Sequence, residues 1–222
     1  MRPSGIVDVV CVGSPFDMGL AQGTALRAKI HDARSNMLSS LESFRIAQPR
    51  WMPYPVYRWL AERKSDRFLA DSAVGSFLAI DRRLNGIAAG AGLARSAISL
   101  FNALEPLMCS VGGCTACPGA CSVVAVRGQR SATGEPIIAH NFDFLPLVQP
   151  YYTVRESRPQ SGHRAFEFTT APLAGTVDGM NDSGLCITYD YAFATDSPTG
   201  PAVPISMVVS VRRNAFLVAV VS

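Results

Sequence analysis

Cys121 opens an apolar, strand-like run, Cys-Ser-Val-Val-Ala-Val, and the small, turn-forming Pro118-Gly119-Ala120 stands in front of it. The run passes through a polar turn at 127–135 and returns as Pro-Ile-Ile-Ala-His-Asn-Phe-Asp-Phe, ending at Phe144. A thiol at the head of a strand, preceded by a pliant segment, suits a chain that cuts itself between Ala120 and Cys121. The freed α-amine, with an ordinary pKa of about 7.7–8.0, can take the thiol proton near neutral pH without a histidine. Small side chains at Gly119 and Ala120 leave the scissile carbonyl open and permit a strained turn there. Two further groups complete an acyl-transfer set. Asp143, at the far end of the returning strand, reaches back toward Cys121 if the two runs pair as a hairpin. Asn181, in the turn Gly179-Met180-Asn181-Asp182-Ser183-Gly184-Leu185, offers an amide for an oxyanion, a donor worth about 3–4 kcal/mol in a transition state.

Other readings of the same residues stay open. Cys121 can be a buried core cysteine, Asp143 a strand-end cap, and Asn181 a left-handed turn residue. Cys109, Cys114, Cys117 and Cys121 partly match a C-x4-C-x2-C iron–sulfur run or a zinc site, although no distant fourth ligand is evident. Asp178 and Asp182 read as turn formers, and His31 and His163 as solvated or locally bonded. Gly86, Gly90 and Gly92 lack the Lys-Ser/Thr of a phosphate loop and read as small residues that let helices approach.

These groups need a scaffold, and the chain supplies a mixed one. Residues 6–13 read as a strand. A helix follows from about Asp17 to Arg45, with Leu20, Leu26, Ile30, Met37, Leu41 and Phe44 as its apolar stripe. Pro49, Pro53 and Pro55 interrupt, and helices are expected over 56–63, 66–84 and 94–108. From Cys121 the chain is β-rich, with strands expected over 121–127, 136–142, 150–156, 164–170, 174–179, 184–190 and 204–211, joined mostly as antiparallel hairpins. The seam at 110–120 is rich in Gly and Cys.

Composition narrows the function classes. Of the 222 residues, 48% are hydrophobic and 17% charged, a globular balance, and the net charge is +3. The arginines are scattered without a basic run, so nucleic acid is not expected as a partner. No segment is both apolar and long enough to span a bilayer, no signal peptide is evident, and a cytoplasmic location follows by default. There the six cysteines are expected to stay reduced.

The run 121–144, with its Thr133-Gly134 turn and His140-Asn141-Phe142-Asp143, resembles the acyl-coenzyme A:6-aminopenicillanate acyltransferase family of N-terminal-nucleophile hydrolases, relatives of penicillin V acylases and bile salt hydrolases. The turn 179–185 is similar to that superfamily's Gly-x-Asn-Glu-x-Gly-Leu element, with Asp182 in the Glu position. Upstream, Gly13-Ser14-Pro15, Gly19-Leu20-Ala21-Gln22-Gly23 and the segment 85–92 resemble the family's propeptide, so the likeness spans most of residues 6–212. It implies an α+β, N-terminal-nucleophile αββα sandwich, with residues 1–120 as a helical propeptide and 121–222 as the first part of the catalytic segment. It further implies self-cleavage to an α/β heterodimer, Cys121 as nucleophile, Asp143 orienting its amine and Asn181 as oxyanion donor. A small-molecule amide or acyl thioester would be the substrate, with no cofactor, no metal and no membrane. His140 stands where the bile salt hydrolase relatives carry Arg. The family continues past this chain's length, with a further oxyanion Asn and an Arg. Residues 215–222 read as the tail of a truncated or frameshifted product, so the sandwich is expected to be incomplete and this chain inactive or poorly folded alone.

Overall fold

The computed structural model describes residues 6–71, 78–110, 121–188, 204, 206 and 207, and of 108–110 the backbone alone. The rest of the expected strand 204–211, the tail, Cys114, Cys117 and Ala120 lie outside them, and Ser206 and Met207 are helical rather than extended, with the Met207 amide donating to the Pro204 carbonyl at 2.9 Å.

Alternation of buried and exposed residues in Val9–Gly13 (β1) fits a strand with one covered face; Val9 and Cys11 are buried while Val10 and Val12 are exposed. Helix α1, Pro15–Ala25, starts with a capping box: Ser14 Oγ accepts from the Asp17 amide at 3.2 Å, and Asp17 Oδ2 accepts from the Ser14 amide at 3.0 Å. The single helix expected over 17–45 is instead a chain of short pieces: α1, α2 (Arg27–Asp32), a π-helical turn at Ala33–Met37, α3 (Leu38–Ser40) and α4 (Glu42–Arg45). Serine hydroxyls account for part of this, because they compete for backbone carbonyls. Ser35 Oγ donates to the carbonyl of His31 at 2.9 Å and Ser39 Oγ to that of Asn36 at 2.9 Å; Leu41 then turns extended at ψ 104°.

Residues Tyr54–Asp71 form one helix, α5, through the break expected near residue 64, and the bond from Ser65 Oγ to the Ala61 carbonyl at 2.7 Å lies within it. Helices α6 (Leu78–Ala91) and α7 (Arg95–Ser110) complete the helical part. The small-residue segment does what its composition suggests: α1 and α6 touch backbone to backbone. A Cβ at Gly19 would run into the Arg83 carbonyl, and one at Gly86 into the Phe16 carbonyl.

The strands that follow are β2 (Ser122–Val126), β3 (Ile137–Asn141), β4 (Tyr152–Pro159), β5 (Ala165–Thr170), β6 (Asp178–Asn181) and β7 (Cys186–Ile187). They make a five-stranded sheet in the order β1-β4-β5-β6-β7 and a separate hairpin, β2-β3. All pairings are antiparallel except β1 with β4, where Val9 lies opposite Arg155 in parallel register. The fold is therefore α+β with a mixed sheet. A sequence boundary at residue 120 does not divide it in space, because β1 from the first half is an edge strand of the sheet built by the second.

One face of the large sheet takes the helices. Met18, Ile30, Leu84, Ile87, Ala88, Ile98 and Ala171 pack into one core with Val9 and Cys11. At its centre Arg155 is fully buried and fully partnered: it donates to both Glu167 oxygens (2.8 and 3.1 Å), to Gln22 Oε1 (2.7 Å), and to the carbonyls of Leu173 (3.0 Å) and Gly175 (2.9 Å). Ser157 Oγ also donates to Glu167, and Gln22 Nε2 donates to the carbonyls of Ala171 and Leu173, both at 2.9 Å. Asn102 on α7 adds two more ties to the same loop, accepting from the Ala174 amide at 2.9 Å and donating to the Pro172 carbonyl at 3.1 Å. This explains why residues 174–177, expected as strand, form a loop: carbonyls at 173–175 are committed to a guanidinium rather than to a ladder. Strand β6 starts only at Asp178.

The other face carries Val10, Val12, Tyr152, Val154, Phe166, Phe168, Asp178 and Met180, by the alternation along each strand. Part of it is covered by the β2-β3 hairpin. Phe142 meets Tyr152 (ring centroids 5.8 Å) and Phe168 (5.9 Å) there.

Candidate active site

The hairpin fixes the position of Cys121. Ser122 lies opposite Asn141 in antiparallel register, so the residue before Ser122 stands beside the residues after Asn141. Cys121 Sγ lies 3.9 Å from the main-chain oxygen of Asp143, and the thiol is half-buried. The expected hairpin proximity of Cys121 and the Asn141–Asp143 strand end is thus present in the geometry.

The floor beside this pair is aromatic. Phe142 stacks on Phe144 at 5.5 Å, and Tyr152 meets Phe168 edge-on at 5.1 Å. Burial, together with the nearby Cys121 and Asp143, holds the Tyr152 phenol above its ordinary pKa. Tyr152 is also tied to the first half of the chain, its carbonyl accepting from Lys29 Nζ at 3.0 Å.

Two strand positions from Cys121's partners, His140 Nδ1 lies 2.7 Å from Asp178 Oδ1 and 2.8 Å from Thr188 Oγ1. His140 also sits edge-on to Phe142 at 5.8 Å. Asp178, read as a turn former, is instead the partner that links the hairpin to β6. Cys186 shares this neighbourhood: burial first, and then Asp178, push its thiol up from the ordinary value. Neither Tyr152 nor the His140–Asp178 pair is apparent as a site in the sequence. The one available signal was the alternation of Tyr152, Phe166 and Phe168 along their strands, which marks a shared face.

Asn181 is not brought to the thiol by its strand. It lies opposite Ala165 and shares the helix-covered face with Glu167, while Asp178 and Met180 face the hairpin. Its Oδ1 accepts from the amides of Ser183 (3.1 Å) and Leu185 (2.9 Å) and from Ser183 Oγ (2.7 Å). Those bonds build the turn, and the left-handed conformation in it belongs to Gly184, φ 84°. Asp182 binds His163 at 2.9 Å, a local pair that holds its carboxyl below the ordinary range, with the Arg164 amide adding to the shift. His31 Nε2 bonds the Ala91 carbonyl at 2.9 Å, between helices. Among the described residues no group of three or more His, Cys, Asp or Glu could hold a metal ion; the cluster that Cys109, Cys114 and Cys117 would form with Cys121 is outside this description.

Together these elements define an α+β protein with a thiol and a carboxylate-bearing residue held side by side at the open end of a β-hairpin, over an aromatic floor. Residues 130–208 match the family model described as acyl-coenzyme A:6-aminopenicillanic acid acyl-transferase. The match includes His140, Asp143, Asp178 and Asn181. No curated protein matches the chain.

Proposed function

We propose that the chain is a self-processing cysteine-nucleophile amide hydrolase or acyltransferase of the N-terminal-nucleophile kind. The observation that carries this reading is the β2-β3 register, which sets Cys121 beside Asp143 at the start of a strand. In the first step the Cys121 thiol attacks the Ala120 carbonyl, the acyl group moves from nitrogen to sulfur, and water hydrolyses the thioester. This leaves a new carboxylate on Ala120 and a free amine on Cys121. That amine, with an ordinary pKa of about 7.7–8.0, then accepts the thiol proton as substrate arrives, and the Asp143 carboxylate holds the resulting ammonium in place. The substrate acyl group is transferred to Sγ as a thioester and its leaving group takes up the proton. Water or an acceptor amine then releases the acyl group.

The layering of helices, five-stranded sheet and hairpin supports an αββα-type sandwich. Phe142, Phe144, Tyr152 and Phe168 suit an apolar acyl group of a small-molecule amide or thioester. The Asn181 Oδ1 shapes the β6-β7 turn, and its Nδ2 is the atom that an oxyanion-donor role would use. After cleavage the two fragments would remain a heterodimer, since β1 and β4 belong to different fragments and pair over five residues.

The test is intact mass under denaturing conditions. Two fragments meeting between Ala120 and Cys121 are expected, with a single chain from Cys121→Ala, and a thiol-reactive acyl probe should label Cys121 in the processed protein. A chain that stays whole, or stoichiometric zinc or iron bound through the cysteines, would overturn the proposal.

A further inference from the structure

We propose that the outer face of α5, with the turn before it, docks on the surface of an anionic lipid bilayer. This goes beyond the acyl-transfer reading and does not depend on Cys121. From Val56 to Arg67 the exposed positions of α5 fall at helical spacing on one side: Val56, Trp59, Leu60, Arg63, Lys64 and Arg67. The first three are apolar and the last three are basic, so the face passes from a greasy end to a cationic one. Arg63 lies over the Trp59 ring at 5.1 Å, which holds both side chains on this face.

The preceding turn adds Ile46, 73% exposed, and Trp51, 80% exposed, with the exposed Arg50 beside it. The acidic residues between Val56 and Arg67 are neutralised, while Glu42, one turn before Ile46, is exposed. Glu62 is buried against Arg34 and Arg58, and Asp66, at the edge, is held by Arg95 and by Ser99. Asp71 recurs on the face only at the helix end.

Three observations favour a bilayer over a protein or nucleic acid. Tryptophan prefers the membrane–water interface, where an apolar ring and a polar edge are both satisfied. Exposed apolar side chains supply area to bury at a bilayer surface, and the adjoining lysine and arginines supply attraction to anionic lipid. Directly under the face a cavity of about 300 Å³ opens between the turn and α5, lined by Phe44, Met52, Tyr57, Leu60 and Leu107 with Lys64 among its lining residues. Its chemistry fits an acyl chain with an anionic headgroup at Lys64. No helix among the described residues is long and apolar enough to cross a membrane. Surface docking needs none.

The chain has only two tryptophans, Trp51 and Trp59, and both lie in this patch; intrinsic fluorescence therefore reports on the patch alone. Purified full chain would be titrated with vesicles of phosphatidylcholine containing phosphatidylserine, with the acyl chains brominated. The expected result is quenching of tryptophan emission that saturates with lipid and fades with salt. Each basic residue near a charged surface is worth about 1 kcal/mol, roughly fivefold in affinity, so Arg63→Gln/Lys64→Gln/Arg67→Gln should weaken binding roughly a hundredfold. Circular dichroism would check that this variant keeps its helices, and cosedimentation would give a second measure of binding. Absence of quenching and cosedimentation, equal binding to pure phosphatidylcholine, or a folded triple variant that binds as well as the parent would each overturn the proposal.

Discussion

Glu167→Gln is expected to destabilise the protein far more than its small change in shape suggests. In the structure Glu167 is the sole carboxylate on a guanidinium that is wholly removed from water, and it accepts from Arg155 Nε at 2.8 Å and Nη2 at 3.1 Å. The amide would keep one acceptor oxygen and present an NH2 where the second acceptor stood, opposite an N–H donor. The Arg155 charge would lose its counterion. Breaking one side of a buried ion pair costs roughly 3–5 kcal/mol. For chains of this size each kcal/mol moves the melting temperature by roughly 2–4 °C, so a fall of roughly 6–20 °C is expected. Arg155→Met should be worse still, because it leaves Glu167 a buried carboxylate without its cation and takes the Arg155 donor from Gln22 Oε1, an unsatisfied buried group costing about 1–3 kcal/mol and a charged one more. The assay is thermal unfolding followed by circular dichroism, with urea unfolding as a check. A Glu167→Gln protein melting within about 2 °C of the parent would refute the claim that this network is dry and electrostatically closed.

Burial raises the carboxyl pKa of Glu105 on α7 above its ordinary value in the fold. The folded state therefore holds that proton more tightly; the stability tied to it is full below the unfolded glutamate pKa and is lost as pH rises through the raised one. Glu105→Gln should consequently stabilise the protein at neutral pH, with the gain shrinking toward acid pH, as denaturation at a series of pH values would measure. Gly19→Ala should cost roughly 1–3 kcal/mol in urea unfolding, the usual penalty for overpacking, because its methyl meets a backbone carbonyl of α6 and not a movable side chain. Asp143→Asn in processed protein should lower turnover of an amide or thioester substrate by roughly 10²-fold or more, the scale of a lost proton-transfer partner, while leaving the melting temperature near that of the parent; unchanged turnover would remove Asp143 from the site.

Much of the hairpin was legible from residues alone. Alternating apolar runs on either side of a Thr-Gly turn have few ways to pair, and register then decides which ends meet; Cys121 and Asp143 follow from that. The capping box at Ser14 and the close approach of α1 to α6 are likewise local rules written in short spacings. The fate of Asn181 was not legible. A one-residue step along a strand moves a side chain to the opposite face of the sheet, and only the pairing of β6 with β5 settles which face each residue takes.

The sequence by itself determined the two textures of the chain, the hairpin with its thiol and aspartate, and the glycines that let two helices touch, because these depend on residues a few positions apart. Tertiary structure alone decided that β1 joins the sheet of the second half, that loop 173–175 turns its carbonyls onto Arg155, and that Asp178 meets His140. Each of those depends on a donor and an acceptor far apart in the chain, and their meeting is set by which buried polar group most needs a partner once water is excluded.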